Sequence, residues 1–340
     1  MSSALPSENS QTVSLITGIQ GFAGSYLCHE LLARGERVWG LDRQSDGAKP
    51  LPLPRPGLEP ITSDAIDEVR VFASDMSNVH ELAEILKEAR VNRIYHLAGA
   101  AYVPDSWKDP AATLQANSIC ALTLLQAARS IQWQGRFLFI SSSDVYGTPT
   151  AEELPLTEDS PIRTESPYAL SKITTEEFAR YYNGDGIEVL TARPFNHIGP
   201  GQRGEFVVPS FLERIEAAAT SGSNVIRVGE MEAVRDFTDV RDVVRAYAVL
   251  LDRGRTGEVY NICSGHPRRI GELLDIAIRV SGHSVRYEVD PALLRPEGAN
   301  QRYGNCDRLK ALGWSPRFSL EDTIRDMYRY MLEQKSTRTV

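Results

Sequence analysis

The segment TGIQGFAG, from Thr17 to Gly24, follows the apolar run VSLI and opens an amphipathic stretch, and it limits the fold more than any other part of the chain. Where a strand hands over to a helix, each glycine has a separate task. Gly18 allows a tight turn, Gly21 lets the backbone approach a pyrophosphate, and Gly24 permits close helix packing. The helix N-terminus then faces the anion, with Phe22 at its start. A bare glycine turn without a ligand is the competing reading, and the strand-to-helix context argues against it.

The alternation begun there continues. Strand-like runs RVWGLD, VRVFASD, RIYHLAG, RFLFISSS and IEVLTARPFN alternate with helix-like stretches over Phe22–Ala33, Val79–Ala89, Thr113–Ser130 and from Pro167 onward. Strands separated by helices predict a Rossmann-type α/β fold, a doubly wound parallel sheet covered on both faces. QSDGAKPLPLPRPGLEPITSD, from Gln44 to Asp64, reads as an extended surface loop because of its prolines. Beyond Pro194 the regular pattern gives way to short strands such as VIRVGE and EVYNICSG. The expected organisation is a tail over 1–11 and a dinucleotide-binding domain over 12–193, to which 223–264 partly returns. A smaller mixed α/β substrate-binding lobe follows from 194–222 and 265–333, with a tail over 334–340.

A net charge of -8 over 340 residues gives no basic field for a nucleic-acid backbone, so any phosphate must be held locally. Cys28, Cys120, Cys263 and Cys306 lack CxxC spacing, and no stretch reads as a signal peptide or an apolar membrane span. A cytoplasmic protein with reduced thiols is expected. His29 and His80 each precede a glutamate without completing HExxH, so no protein-bound metal is expected.

Asp42 and Arg43 end the second strand at the distance of a ribose-reading acid. Asp42 would bond a free ribose hydroxyl, whereas Arg43 could pair with a 2′-phosphate or stack on adenine; the reading leans to NAD over NADP. Asp75 and Met76 close the third strand where adenine could lie, unless Asp75 is simply a helix cap. Leu97 and Ala98 of HLAG belong to the same cofactor wall. RFLFISSS carries Ser142 and Ser143 to a strand end, followed by Asp144. Tyr168 and Lys172, four apart behind Pro167, share one helix face. A nearby ammonium favours tyrosinate, so the pair suits general acid/base work. RPFNHIGPGQ offers Asn196 and His197, and Arg235 and Arg295 are forks suited to a diphosphate, each with a structural ion pair as its alternative role. His197 reads as a packed histidine.

Glycine loop, serine-bearing strand and YxxxK, in that order, resemble the extended short-chain dehydrogenase/reductase superfamily over about residues 12–333. The resemblance implies that Ser142 hydrogen-bonds the reacting oxygen, Tyr168 exchanges its proton, Lys172 also holds the nicotinamide ribose, and Asn117 supports the active-site backbone. RPFNHIGPGQ, VGEMEAVRDFTDVRDVVRAY and YNICSG are most similar to GDP-4-dehydro-6-deoxy-D-mannose reductases, and next to GDP-mannose 4,6-dehydratases. That likeness implies an NAD(P)H-dependent reduction of a C4 ketone to a GDP-6-deoxyhexose such as GDP-D-rhamnose. Asn196 would contact the sugar diphosphate, and Arg235 and Arg295 its phosphates. One departure is RPEG, where Glu297 stands one place early for a ribose contact.

Dehydratases of this type carry a glutamate at the position of Asp144, often with a second acid or hydroxyl at that of Ser143. Asp144 is one methylene shorter, which favours the reductase; the dehydratase and a 4-epimerase are the alternatives. A cofactor-binding protein without chemistry is disfavoured by the intact Ser142, Tyr168 and Lys172. The resemblance also implies a homodimer built on the helices around Thr113 and Tyr168.

Overall fold

A computed structural model describes residues 12–43, 57–58, 60–294 and 300–338. The first half alternates as expected: β1 (Val13–Thr17), α1 (Phe22–Ala33), β2 (Arg37–Asp42), α2 (Ser63–Asp67), β3 (Arg70–Ala73), α3 (Val79–Ala89) and β4 (Arg93–His96). There follow α4 (Val103–Lys108), α5 (Pro110–Leu114), α6 (Cys120–Ser130), β5 (Gly135–Ile140), α7 (Pro167–Tyr182) and β6 (Ile187–Pro194). The long helix expected over Thr113–Ser130 is interrupted by a π-helical turn at Gln115–Ile119, between α5 and α6. Of the Gln44–Asp64 segment only 57–58 and 60–64 are described; α2 begins at Ser63, inside the expected loop, and the prolines at 50, 52, 54 and 56 lie outside the described residues.

Next come β7 (Asn196–Ile198), α8 (Val207–Ser221), β8 (Val225–Val228), β9 (Val234–Asp239), α9 (Val240–Arg253) and β10 (Val259–Ile262). The chain closes with β11 (Pro267–Arg269), α10 (Ile270–Ser281), β12 (Arg286–Val289), β13 (Gln301–Arg302), α11 (Asp307–Lys310) and α12 (Leu320–Arg338). Seven strands form one parallel sheet in the order β10-β6-β5-β4-β1-β2-β3. Strand order reverses between β1 and β4, which opens a crevice at their carboxyl ends.

Period-two alternation sends neighbouring side chains to opposite faces. Ile16, Tyr95, Leu138 and Ile140 pack with α1 and α9, while Leu15, Ile94, Phe137 and Phe139 pack with α3 and α6. This explains the near-continuous apolar strands: both faces are covered. A third cluster joins Phe211, Ile215, Ile226, Val228, Leu273, Leu274, Ile324 and Met327 as the core of the lobe. Within 223–264, α9 and β10 lie on the large sheet, whereas β8 pairs with β12, and β9 pairs with β7, β11 and β13. Helix α12 continues to Arg338, beyond the expected boundary at 333. Among the described residues no helix is long and apolar enough to cross a membrane.

Candidate active site

The glycine loop is held by close approach. Gly18 has φ +71° and its N–H donates to Leu41 O at 2.8 Å; a Cβ on Gly24 would lie 2.1 Å from Gly18 O. Only glycine tolerates that spacing. Thr17 Oγ1 accepts from Ala98 N at 3.1 Å and bonds His96 Nδ1 at 3.0 Å, tying the ends of β1 and β4 together beside the loop. Leu97 N donates to Thr17 O at 3.3 Å. The Asp42 carboxylate accepts from Gln20 N at 3.1 Å and Arg43 N at 2.8 Å, so it sits between β2 and the glycine loop. Ser77, through its hydroxyl and backbone, holds the Asp75 carboxyl below its ordinary range, with Arg43 a smaller influence. Asp75 does not cap α3. Asn78 does, and Met76 beside it is buried with φ +60°.

Asn117 lies in the π-helical turn and connects three segments. Its Oδ1 accepts from Ala100 N at 2.7 Å, its Nδ2 donates to Ser171 Oγ at 2.8 Å, and its carbonyl accepts from Thr175 Oγ1 at 3.2 Å. A Cβ on Gly99, φ +153°, would meet Asn117 Oδ1 at 2.4 Å. The loop after β4 is thereby locked against α7.

Helix α7 starts sharply because Ser166 accepts from Ala169 N at 3.0 Å and Pro167 occupies the first turn. Tyr168 and Lys172 therefore project together toward the end of β5. Both are buried, and Lys172 Nζ donates to Ile140 O at 2.9 Å while lying 5.8 Å from the centre of the Tyr168 ring. Burial pushes the Lys172 ammonium down to about 8, with Glu176 opposing. Burial pushes the Tyr168 phenol up, Asp144 adds to this, and the Ser142 hydroxyl and Arg302 oppose it. His96 is pushed down to about 3, chiefly by burial with Lys172 adding, and stays neutral. Ser142 Oγ accepts from Asp144 N at 3.1 Å. Ser142 and Asp144 are half-buried at the crevice, whereas Ser143 is buried.

Two features escape motif reading. Asp144 is ion-paired with Arg302 of β13, which reaches over from the lobe. Behind the site, Glu176 accepts from Arg193 at 2.9 and 2.6 Å and from Ser141; Arg193 also donates to Tyr146 Oη at 3.0 Å, and Tyr146 donates to Asn261 at 2.7 Å. Glu176 is one turn beyond Lys172, so the spacing Tyr168, Lys172, Glu176 was the available signal. Arg302 carried none, since its strand is two residues long.

Of the residues expected to face the substrate, Asn196 is half-buried in β7. His197 stacks on Phe22, centroids 6.0 Å apart and 2° from parallel, and Gln202 donates to His197 O at 2.9 Å. Tyr26 Oη donates to Pro200 O at 2.9 Å, so the RPFNHIGPGQ loop is fastened to the helix that follows the glycine turn. Arg235 donates to Val234 O and Asn300 O, both at 2.8 Å, and to Asn300 Oδ1. Arg295, Pro296 and Glu297 lie outside the described residues. Among the described residues no group of three or more His, Cys, Asp or Glu is arranged to hold a metal ion.

A sequence profile of the family described as GDP-mannose 4,6 dehydratase matches residues 15–327. The chain belongs to that family. It is 35% identical to GDP-6-deoxy-D-mannose reductase of Pseudomonas aeruginosa, over 91% of this chain and 94% of the relative. It is 28% identical to GDP-mannose 4,6-dehydratase of Sinorhizobium fredii, over 93% and 95%. The structure of RMD from Pseudomonas aeruginosa complexed with NADPH superposes with a TM-score of 0.80 at 33% identity, covering 95% of this chain and 100% of that one. The Rossmann-type fold and the membership of the extended short-chain dehydrogenase/reductase enzymes expected from the sequence both stand. A nicotinamide dinucleotide fits the residues present: Gly18 and Gly24 pack too closely on neighbouring backbone to carry side chains, which draws the loop tight at the N-terminus of α1, Asp42 borders that loop, and Lys172 is buried at the end of β5.

Proposed function

We propose that the enzyme uses NAD(P)H to reduce the C4 ketone of GDP-4-dehydro-6-deoxy-D-mannose to a GDP-6-deoxyhexose such as GDP-D-rhamnose. The observation that carries this reading is the catalytic turn. A complete Ser142, Tyr168 and Lys172 set is present, but the acid beside it is the short Asp144, already engaged by Arg302. Reduction needs one proton donor and one hydride. Dehydration needs in addition a free base for the C5 proton and expulsion of the C6 hydroxyl.

When bound, the reduced nicotinamide supplies the hydride. Ser142 orients the C4 oxygen by hydrogen bonding, and Tyr168, whose phenol is pushed up by burial, is kept protonated as the acid for the developing alkoxide. Lys172 stabilises the tyrosinate left behind and holds the ribose, while Asn117 keeps the loop after β4 in register with α7. Gly18, Gly21, Phe22, Gly24, Leu97, Ala98, Asp75 and Met76 form the dinucleotide wall. Asp42 favours NADH through the free ribose hydroxyl, over the NADPH that Arg43 would serve. Asn196, Ser143, Arg235 and Arg295 are assigned to the sugar diphosphate. Exposed Trp107, Leu114, Leu170 and Tyr181 on α4, α5 and α7 support a homodimer through these helices. The four unbridged thiols support a reducing, cytoplasmic setting.

The test is to offer the purified protein GDP-mannose with oxidised cofactor and, separately, the 4-keto sugar with NADH or NADPH, identifying the sugar products. Consumption of the keto sugar without dehydration of GDP-mannose is expected. The reverse outcome makes it a dehydratase.

A further inference from the structure

The Asp144–Arg302 pair joins two parts of the molecule that the sequence keeps far apart. Asp144 lies in the turn Ser143–Tyr146 after β5, on the large sheet. Arg302 belongs to β13, where it is the register partner of Arg235 on β9, and Gln301 that of Val234. From the other side, Leu156 N donates to Tyr303 O at 3.0 Å and Asn305 N donates to Leu156 O at 2.8 Å. Gly304 is so tightly packed that a Cβ there would meet the Phe195 ring at 2.5 Å. Backbone pairing on both flanks therefore fixes position 302, independently of its side chain. Both charged side chains keep a share of open surface, 21% for Arg302 and 18% for Asp144. They stand next to the buried Tyr168, on which their charges act in opposite senses.

We propose that Arg302 is a specificity-determining residue of this site: by engaging the Asp144 carboxylate it withholds the acid of the catalytic turn from the C5 proton and keeps the reaction at reduction. This rests on the reductase reading above. In the 4-keto sugar the C5–H bond is activated by the adjacent ketone. A free carboxylate at the turn takes that proton, the bonding pair moves into a C4–C5 enolate whose oxygen faces Ser142 and Tyr168, and a solvent proton returns to C5. The exchange is balanced without oxidant or reductant. A carboxylate oxygen already accepting a charge-assisted bond from a guanidinium has its charge and lone pair committed elsewhere.

The experiment is solvent exchange at C5. The full-length enzyme, loaded with oxidised cofactor so that reduction cannot occur, is incubated with the 4-keto sugar in deuterium oxide, and loss of the C5 proton signal is followed by NMR against an enzyme-free blank. The unmodified enzyme is expected at the blank rate, and Arg302→Gln roughly tenfold or more above it, in the range of general-base catalysis. Arg302→Gln combined with Asp144→Asn returns to the blank, and Arg302→Lys, which restores a cation, suppresses exchange. Should Arg302→Gln fail to fold, Arg302→Met keeps the aliphatic stem and carries the same expectation. Exchange by the unmodified enzyme, or none in a folded Arg302 variant that binds the sugar nucleotide, overturns the proposal. Failure of the reductase reading is seen separately, as no consumption of the keto sugar by the unmodified enzyme with NADH or NADPH.

Discussion

Lys172 and Tyr168 are both buried, yet burial moves them to opposite ends of function. The phenol is raised, so it stays protonated through the neutral range; the ammonium is lowered to about 8, so it is the group that titrates within reach of an assay. Keto-sugar reduction should therefore hold steady at neutral pH and fall as pH rises through about 8, because deprotonated Lys172 can no longer stabilise the tyrosinate. A profile of kcat/KM against pH reads this in the free enzyme, and a falling limb that begins only above about 10, the ordinary lysine range, contradicts it. Stability moves the other way: a lysine lowered in the folded state costs stability below about 8, and that cost is relieved as pH rises toward the ordinary value of 10.5. Tyr168→Phe removes the proposed proton donor but little of the proposed cofactor site. Steady-state turnover should fall on the order of 10²–10⁴-fold, with NADH affinity by fluorescence titration within a few-fold of the parent. Unchanged turnover means that another group is the acid.

At the scale of elements, what was legible in the sequence follows from locality. Helix α1 runs over Phe22–Ala33 and α3 over Val79–Ala89, as expected, and α7 begins at Pro167, because caps, prolines and apolar periodicity are written within a few residues. The glycine loop was legible for the same reason. Gly24→Ala would force a methyl to 2.1 Å from Gly18 O, so the loop must shift; cofactor affinity should weaken by more than about tenfold, and stability fall by roughly 1–3 kcal/mol. Titration and thermal melting check both, and parent-like values in both would mean that the loop is more plastic than its packing. The π-helical turn at Asn117 was invisible, since its cause is tertiary: one side chain satisfies Ala100 and Ser171 at once. Arg302 was invisible too. It meets Asp144 only because β13 docks beside β9.

The whole molecule is a parallel sheet and a lobe that meet at the carboxyl ends of the strands, and buried polar groups hold the sheet side of that junction. Arg193, from β6, joins Glu176 of α7 and Tyr146, with Tyr146 in turn bonded to Asn261 of β10. Removing one partner of a buried ion pair leaves an uncompensated charge. Arg193→Met should lower stability by about 3–5 kcal/mol in denaturant melts, and a loss below about 1 kcal/mol would mean that Glu176 finds another partner. The proposed reaction at this junction is read by reducing GDP-4-dehydro-6-deoxy-D-mannose with NADH or NADPH deuterated at the transferable position and locating the label by NMR. Hydride delivery to the ketone gives a GDP-6-deoxyhexose with deuterium at C4 and nowhere else; label at C6, or no transfer from either cofactor, rules the reductase out.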